Sequence, residues 1–153
     1  MITDKHTALL KAEAYCAYQE RSQYEVRGKL ISLGVFGNDL DEIITQLIEN
    51  NYLNESRFAL AYAQGKLRMK GWGRNKIKQG LKFRGVSEPL IKKALNILDD
   101  DEYLNKLAAI LEKKASTIKE KNKNLLQYKL KQYALTRGFE GDLISFVLKD
   151  KAL

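Results

Sequence analysis

The chain has 153 residues, 44% of them hydrophobic, with ten glycines and a single proline. That balance argues against general disorder and favours helix, as one domain or a few small stacked units. A formal net charge of +8 points to a polyanion, an anionic membrane surface or an acidic partner, while the lone Cys16 excludes an intramolecular disulfide or a Cys-rich metal site.

The N-terminal segment MITDKHTALLKAEAYCAYQERSQ lacks the basic start and apolar run of a signal peptide, and no stretch is apolar enough to span a membrane. A cytoplasmic protein with no membrane partner is the expectation. A first helix is predicted from about Ala8 to Glu20, carrying Leu9, Leu10, Ala12, Ala14, Cys16 and Ala17, with Cys16 as a buried small side chain. His6, the only histidine, falls in a terminus expected to fray and reads as an ordinary surface residue.

The next helical run closes at Gly34, with Val26 and Leu30 before the glycine and Val35 directly after it. A further run starts near Leu40, with Asp39 as its predicted cap. A helix from Glu55 to Met69 follows, carrying Phe58, Ala59, Ala61 and Tyr62. The glycine pattern then returns at Gly85, with Ile77 and Leu81 before it and Val86 after it. Ser87 is the predicted cap of the run near Leu90, with Pro89 tolerated in its first turn.

Asp99, Asp100, Asp101 and Glu102 sit where a helix reaching Ile118 should begin, complementing the positive end of its dipole. This helix carries Leu104, Leu107, Ala108, Leu111 and Ala115, and KEKNKN from Lys119 to Asn124 reads as a polar turn. The pattern occurs a third time at Gly138, with Leu130, Ala134 and Phe139, before a run near Leu143 that Asp142 is expected to cap. The fold class is therefore all-α. Three tandem three-helix, helix-turn-helix-like repeats are predicted, at residues 1–53, 54–99 and 100–153, in an elongated, curved array.

Catalytic chemistry finds little support. His6 and Cys16 have no sequence-visible partner, no GxxxxGK[ST] loop is present, and Asp99–Glu102 lacks the alternating ligands of a calcium loop. No catalytic residue, cofactor or metal is expected.

Binding chemistry concentrates between Ser56 and Ser87, where there is no Asp or Glu but Arg57, Lys66, Arg68, Lys70, Arg74, Lys76, Lys78, Lys82 and Arg84 all fall. Arg74, Lys78 and Lys82 recur every four residues along one helical stripe, beside Ile77 and Leu81 on an inward one. Such a helix packs inward and offers ammonium and guanidinium groups outward to phosphate. Trp72 is read as packing at a junction between units in preference to stacking on a base, and Gly71 and Gly73 as serving the turn before the helix.

Three segments carry a resemblance to a known family. ERSQYEVRGKLISLGV, Glu20 to Val35, is similar to an Arg-Ser-x-x-Glu-Leu-x-x-x-Leu-x-x-x-Gly signature, with Val26 in place of Leu. NNYLNESRFALAYAQGK, Asn50 to Lys66, is similar to a Tyr-Leu-Asn/Asp-Asp-x-x-Phe-Ala-x-x-Tyr/Trp run, with Glu55 where Asp is more usual. GWGRNKIKQGLKFRGVSEPLI, Gly71 to Ile91, is similar to Gly-x-x-x-Ile-x-x-x-Leu-x-x-x-Gly-Ile/Val, with Gly80 where Glu is frequent. In that order and spacing they resemble the RecX regulators of bacterial RecA recombinase.

The resemblance implies three three-helix repeats and a non-enzymatic protein, expected to be a monomer. It also implies binding in the groove of the RecA–DNA filament and modulation, usually inhibition, of RecA, with consequences for recombination, DNA repair and the SOS response. Charge and motif position nominate Lys66, Arg68, Lys70, Arg74, Lys78, Lys82 and Arg84 for that contact, with Arg21 and Arg27 as secondary candidates. Weak direct DNA binding is compatible with this expectation. The alternative is a stand-alone nucleic-acid-binding protein of helix-turn-helix type.

Overall fold

The computed structural model describes residues 3–153, so Met1 and Ile2 of the expected first repeat lie outside the described residues. The chain forms α1 (Lys5–Tyr18), α2 (Gln23–Ser32), α3 (Gly37–Glu49) and α4 (Glu55–Gly65), and a π-helical turn (Lys66–Lys70) continues α4. Then come α5 (Arg74–Phe83), α6 (Glu88–Ile97), α7 (Asp100–Thr117), α8 (Lys123–Thr136) and α9 (Gly141–Asp150). The described residues contain no strand, and none of their helices is long and apolar enough to cross a membrane.

The three glycine patterns become three copies of one local structure. Gly34, Gly85 and Gly138 take φ of 84°, 75° and 96°, the left-handed region where a side chain is strained. After α2, the Val35 N–H donates to Leu30 O at 3.0 Å and the Gly34 N–H to Ile31 O at 2.9 Å. Val86 with Leu81 and Gly85 with Lys82 repeat these bonds after α5, as do Phe139 with Ala134 and Gly138 with Leu135 after α8. The pair satisfies carbonyls that a helix end leaves open, and the apolar residue after each glycine folds back as it does so. Val26, Leu30, Ile77, Leu81, Leu130 and Ala134 are all fully buried.

The helix starts depart from expectation at several points. The N-terminus is tied rather than frayed: Thr3 N–H donates to Leu33 O at 2.9 Å, and Asp4 caps α1 by accepting from Thr7 N at 2.9 Å. His6 therefore lies in the first turn of α1, still exposed. Asp39 and Asp142 lie inside the first turns of α3 and α9 and cap neither helix, since those helices begin at Gly37 and Gly141. Glu140, in the cap position of α9, makes no cap bond because its carboxylate is committed to Arg74 and Tyr103. Asp99 does cap α7, accepting from Glu102 N at 2.8 Å, with Asp100, Asp101 and Glu102 in the first turn.

By packing, the chain divides into two compact units, Met1–Ala61 with Leu81–Ile91, and Tyr62–Gly80 with Lys92–Leu153. In the first, α1, α2 and α3 contact one another around Ala8, Ala12, Cys16, Leu30, Ile43 and Leu47. Only one stripe of α1 is inside, and Leu10 stays 51% exposed. Ser22 and Glu25 form a reciprocal capping box at the start of α2, and Glu55 adds a second carboxylate there, accepting from Gln23 N at 2.7 Å. In the second unit α7, α8 and α9 contact one another, and α7 also meets the π-helical turn. Its buried residues include Tyr103, Leu107, Leu111, Phe139, Ile144 and Val147, with the Tyr103 and Phe139 rings 5.2 Å apart.

Candidate functional site

The basic stretch begins in the π-helical turn and runs through α5. Gly71, with φ of 65°, reverses the chain after the turn. Gly73 N–H then donates to Arg137 O at 2.8 Å and Asn75 N–H to Gly138 O at 2.9 Å, fixing the entry to α5 against the end of α8. The sequence contains no acid between Ser56 and Ser87, yet folding brings acids to several of its cations from elsewhere. Arg68 donates to both carboxylate oxygens of Glu102, at 2.6 and 3.2 Å. This hydrogen-bonded pairing lowers the Glu102 pKa and raises that of Arg68.

Arg74 is turned inward. Its guanidinium lies 3.9 Å from the centre of the Tyr103 ring, 2.9 Å from Glu140 and 3.3 Å from Asp100. Its backbone N–H donates to the Tyr103 hydroxyl at 2.9 Å, and that hydroxyl donates to Glu140. Burial, reinforced by the hydrogen bond to Glu140, pushes the Tyr103 pKa up. Arg57 is likewise structural, bonded to Glu20 at 2.9 Å and to the side chain and carbonyl of Asn51. Lys82 pairs with Glu88 at 2.9 Å.

Around Trp72 the arrangement is different. The half-buried ring has the Lys66 ammonium 4.8 Å and the Lys76 ammonium 4.6 Å from its centre, so its π system already meets two cations. Lys70, Lys76 and Lys78 have no ion-pair partner among the described residues. Arg84 lies 6.0 Å from the Phe83 ring centre. Of the secondary candidates, Arg27 pairs with Asp41 at 3.2 Å. Arg21 stacks 3.7 Å above Tyr15 and donates its Nε to Tyr15 O at 2.9 Å, holding the end of α1.

The candidates thus separate by chemistry. Arg68, Arg74, Lys82 and Arg27 already face carboxylates, whereas Lys70 and Lys78 remain open to an added anion. Sequence reading passed over Lys106, Lys113, Lys114 and Arg137, which line one groove with Lys70. The signal was present in the spacing: Lys106, Lys113 and Lys114 are seven and eight residues apart, hence on one face of α7.

Family models match two parts of the chain, "RecX, second three-helix domain" over residues 54–95 and "RecX, third three-helix domain" over residues 100–148. A regulatory protein RecX from Clostridium tetani is 31% identical over 130 residues, covering 84% of this chain and 59% of that protein. Another, from Lactobacillus gasseri, is 33% identical over 151 residues, covering 95% of this chain and 54% of its own length. The chain therefore spans little more than half the length of these relatives. The crystal structure of RecX from Lactobacillus salivarius superposes with a TM-score of 0.84 at 28% identity, covering 95% of both chains. The matched domains, the similarity to these relatives and the shared all-helical fold lead to one conclusion: the chain belongs to the RecX family.

Proposed function

We propose that this chain regulates RecA recombinase by binding the groove of the RecA–DNA filament, and that it lowers recombinase activity without catalysing a reaction of its own. Membership of a family of regulatory proteins is the observation that carries this reading. The concentration of cations from Lys66 to Arg84 gives it a physical basis, since a filament offers DNA phosphate to such a surface. Within it, Lys70 and Lys78 make the direct contacts. Arg68 and Arg74 shape the surface by anchoring the π-helical turn and the start of α5. The division into repeats at 1–53, 54–99 and 100–153 belongs to the same reading, supported by the recurrence of one helix-closing structure at Gly34, Gly85 and Gly138.

The test is DNA-dependent ATP hydrolysis by RecA from the same organism, titrated with this protein. Substoichiometric inhibition is expected. A Lys70→Glu/Lys78→Glu variant should lose about tenfold or more in potency, a loss of roughly 1.4 kcal/mol of interaction. Arg74 is left intact in that variant because its removal would disturb Glu140 and Tyr103. Equal potency would remove these lysines from the mechanism, and no effect of the wild type would sink the reading.

A second reading, a stand-alone nucleic-acid-binding protein, is favoured by the acid-free cationic groove that includes Lys70. DNA affinity measured with and without RecA separates the two. Strong enhancement by filaments supports the regulator, and tight binding without RecA supports the alternative.

A further inference from the structure

In the first unit, α2 and the end of α5 leave three large apolar side chains in solvent: Tyr24, 52% exposed, Ile31, 51%, and Phe83, 69%. Exposed apolar residues are ordinary when scattered singly, but these are not scattered. The Tyr24 and Phe83 rings meet edge to face, with centres 5.4 Å apart and planes at 64°. That contact fixes both rings before any partner arrives. Tyr24, Gly28 and Ile31 follow at steps of four and three residues, so they form one stripe of α2. Nothing packs within 4 Å of the place a Gly28 Cβ would take, which leaves an open recess in the middle of the stripe.

The surroundings carry little net charge. Arg27 has Asp41 at 3.2 Å and Lys82 has Glu88 at 2.9 Å. The first unit holds eight Lys and Arg against ten Asp and Glu, whereas the second holds nineteen against nine. The positive excess of the chain therefore belongs to the second unit, and the first has no net attraction for a polyanion. Two aromatic rings with an arginine beside them, Arg84 at 6.0 Å from the Phe83 ring centre, inside a charge-balanced rim, have the composition of a protein–protein contact.

We propose that Tyr24, Gly28, Ile31 and Phe83 form a protein-docking surface that seats an uncharged apolar side chain of a RecA protomer in the filament. The assignment rests on the proposed action on RecA and divides the work of that contact. Phe83 ends the helix that carries Lys78, five residues further on, about 7.5 Å along the axis at 1.5 Å per residue. A partner that meets Lys78 through phosphate therefore brings its protein close to Phe83. The lysines take the DNA and the ring pair takes the protein. The recess at Gly28 lets a partner side chain approach the helix backbone, and the fixed rings bury apolar area at little cost in entropy.

The experiment uses the whole chain in two assays: inhibition of DNA-dependent ATP hydrolysis by RecA, and binding of a fluorescent oligothymidylate without RecA. Tyr24→Gln/Phe83→Gln removes the rings, and Gly28→Gln fills the recess without deleting a side-chain contact. Phe146→Gln, the control, removes a 58% exposed aromatic side chain from the second unit. Circular dichroism checks that each variant is folded.

Tyr24→Gln/Phe83→Gln should lose about tenfold or more in inhibitory potency, as when an interface hot spot is removed. Gly28→Gln should weaken inhibition in the same direction, Phe146→Gln should match the wild type, and oligothymidylate binding should be unchanged in all three. Wild-type potency in both patch variants, beside a loss in Lys70→Glu/Lys78→Glu, would overturn the docking surface and leave the action on RecA standing. No effect of the wild type on RecA would overturn both. A parallel loss of oligothymidylate affinity would make the rings a stacking platform for bases. A wild-type self-association that the patch variants abolish, measured by sedimentation, would make them a contact between copies. Either result overturns the assignment.

Discussion

At Gly73 a methyl group would meet the carbonyl of Gly138 and the amide nitrogen of Phe139, both backbone atoms that cannot swing aside. The close approach carries the Gly73–Arg137 hydrogen bond, so Gly73→Ala should destabilise the protein by about 1–3 kcal/mol, the range for overpacking. Gly28 is the opposite case. It sits inside α2 with open space where a Cβ would go, and Gly28→Ala should stabilise by about 0.5–1 kcal/mol through helix propensity alone. Thermal melts of the two variants against wild type check both signs. Cys16 offers a pH-dependent test. Burial pushes its thiol from 9.0 up to about 11, so the folded state holds the proton that the unfolded chain gives up first. Its contribution to stability is present below pH 9.0 and is lost as pH rises toward about 11. Cys16→Ala should flatten that part of the stability–pH curve, measured by urea unfolding. The inward position of Cys16 was legible because it shares a helical stripe with Ala12, whereas the fit at Gly73 was not. Its neighbours are more than sixty residues away along the chain.

Helix ends were legible where the signal is local. The three left-handed glycines could be placed because a helix, a glycine and an apolar residue lie within a few positions of one another. Starts were harder to place, since Asp39 and Asp142 have the right chemistry but lie inside helices that begin two residues and one residue earlier. The Ser22-Gln23-Tyr24-Glu25 capping box was visible as a pattern and went unread. Removing its buried hydroxyl with Ser22→Ala should cost about 1 kcal/mol, within a range of about 0.5–2, measured by chemical denaturation. The start of α5 depends on a distant partner instead. Tyr103→Phe would leave the Arg74 N–H and a Glu140 oxygen without the hydroxyl between them, and should destabilise by about 1–3 kcal/mol. Adding Glu140→Gln should cost less than the sum of the two single changes, because both act on one network.

For the molecule as a whole, the charge pattern was legible and its consequences only in part. Counting residues located the excess between Ser56 and Ser87, but the carboxylates of Glu102, Asp100 and Glu140 enter that region only through folding. The same long-range joins bear on how the chain can be cut. A fragment of residues 1–99 retains every residue of the first unit but loses the partners of Arg68, Gly73 and Arg74. Hydrogen exchange on that fragment should show α1, α2 and α3 still protected and residues 66–75 exchanging freely. The π-helical turn at Lys66–Lys70 adds a consequence for the reading frame of the surface itself. A π turn is an α-helix with one residue of slack, so deleting one residue there could restore regular helix at little local cost. It would also rotate whatever follows by about 100° around the axis, one residue's share of a turn. Trp72 would then leave Lys66, and Gly73 would leave its seat beside Gly138. Chain length in this short turn is therefore a phase setting for the basic surface, and insertions or deletions should be tolerated less well here than in the polar Lys119–Asn122 connection, where non-helical chain takes up the change before α8 begins.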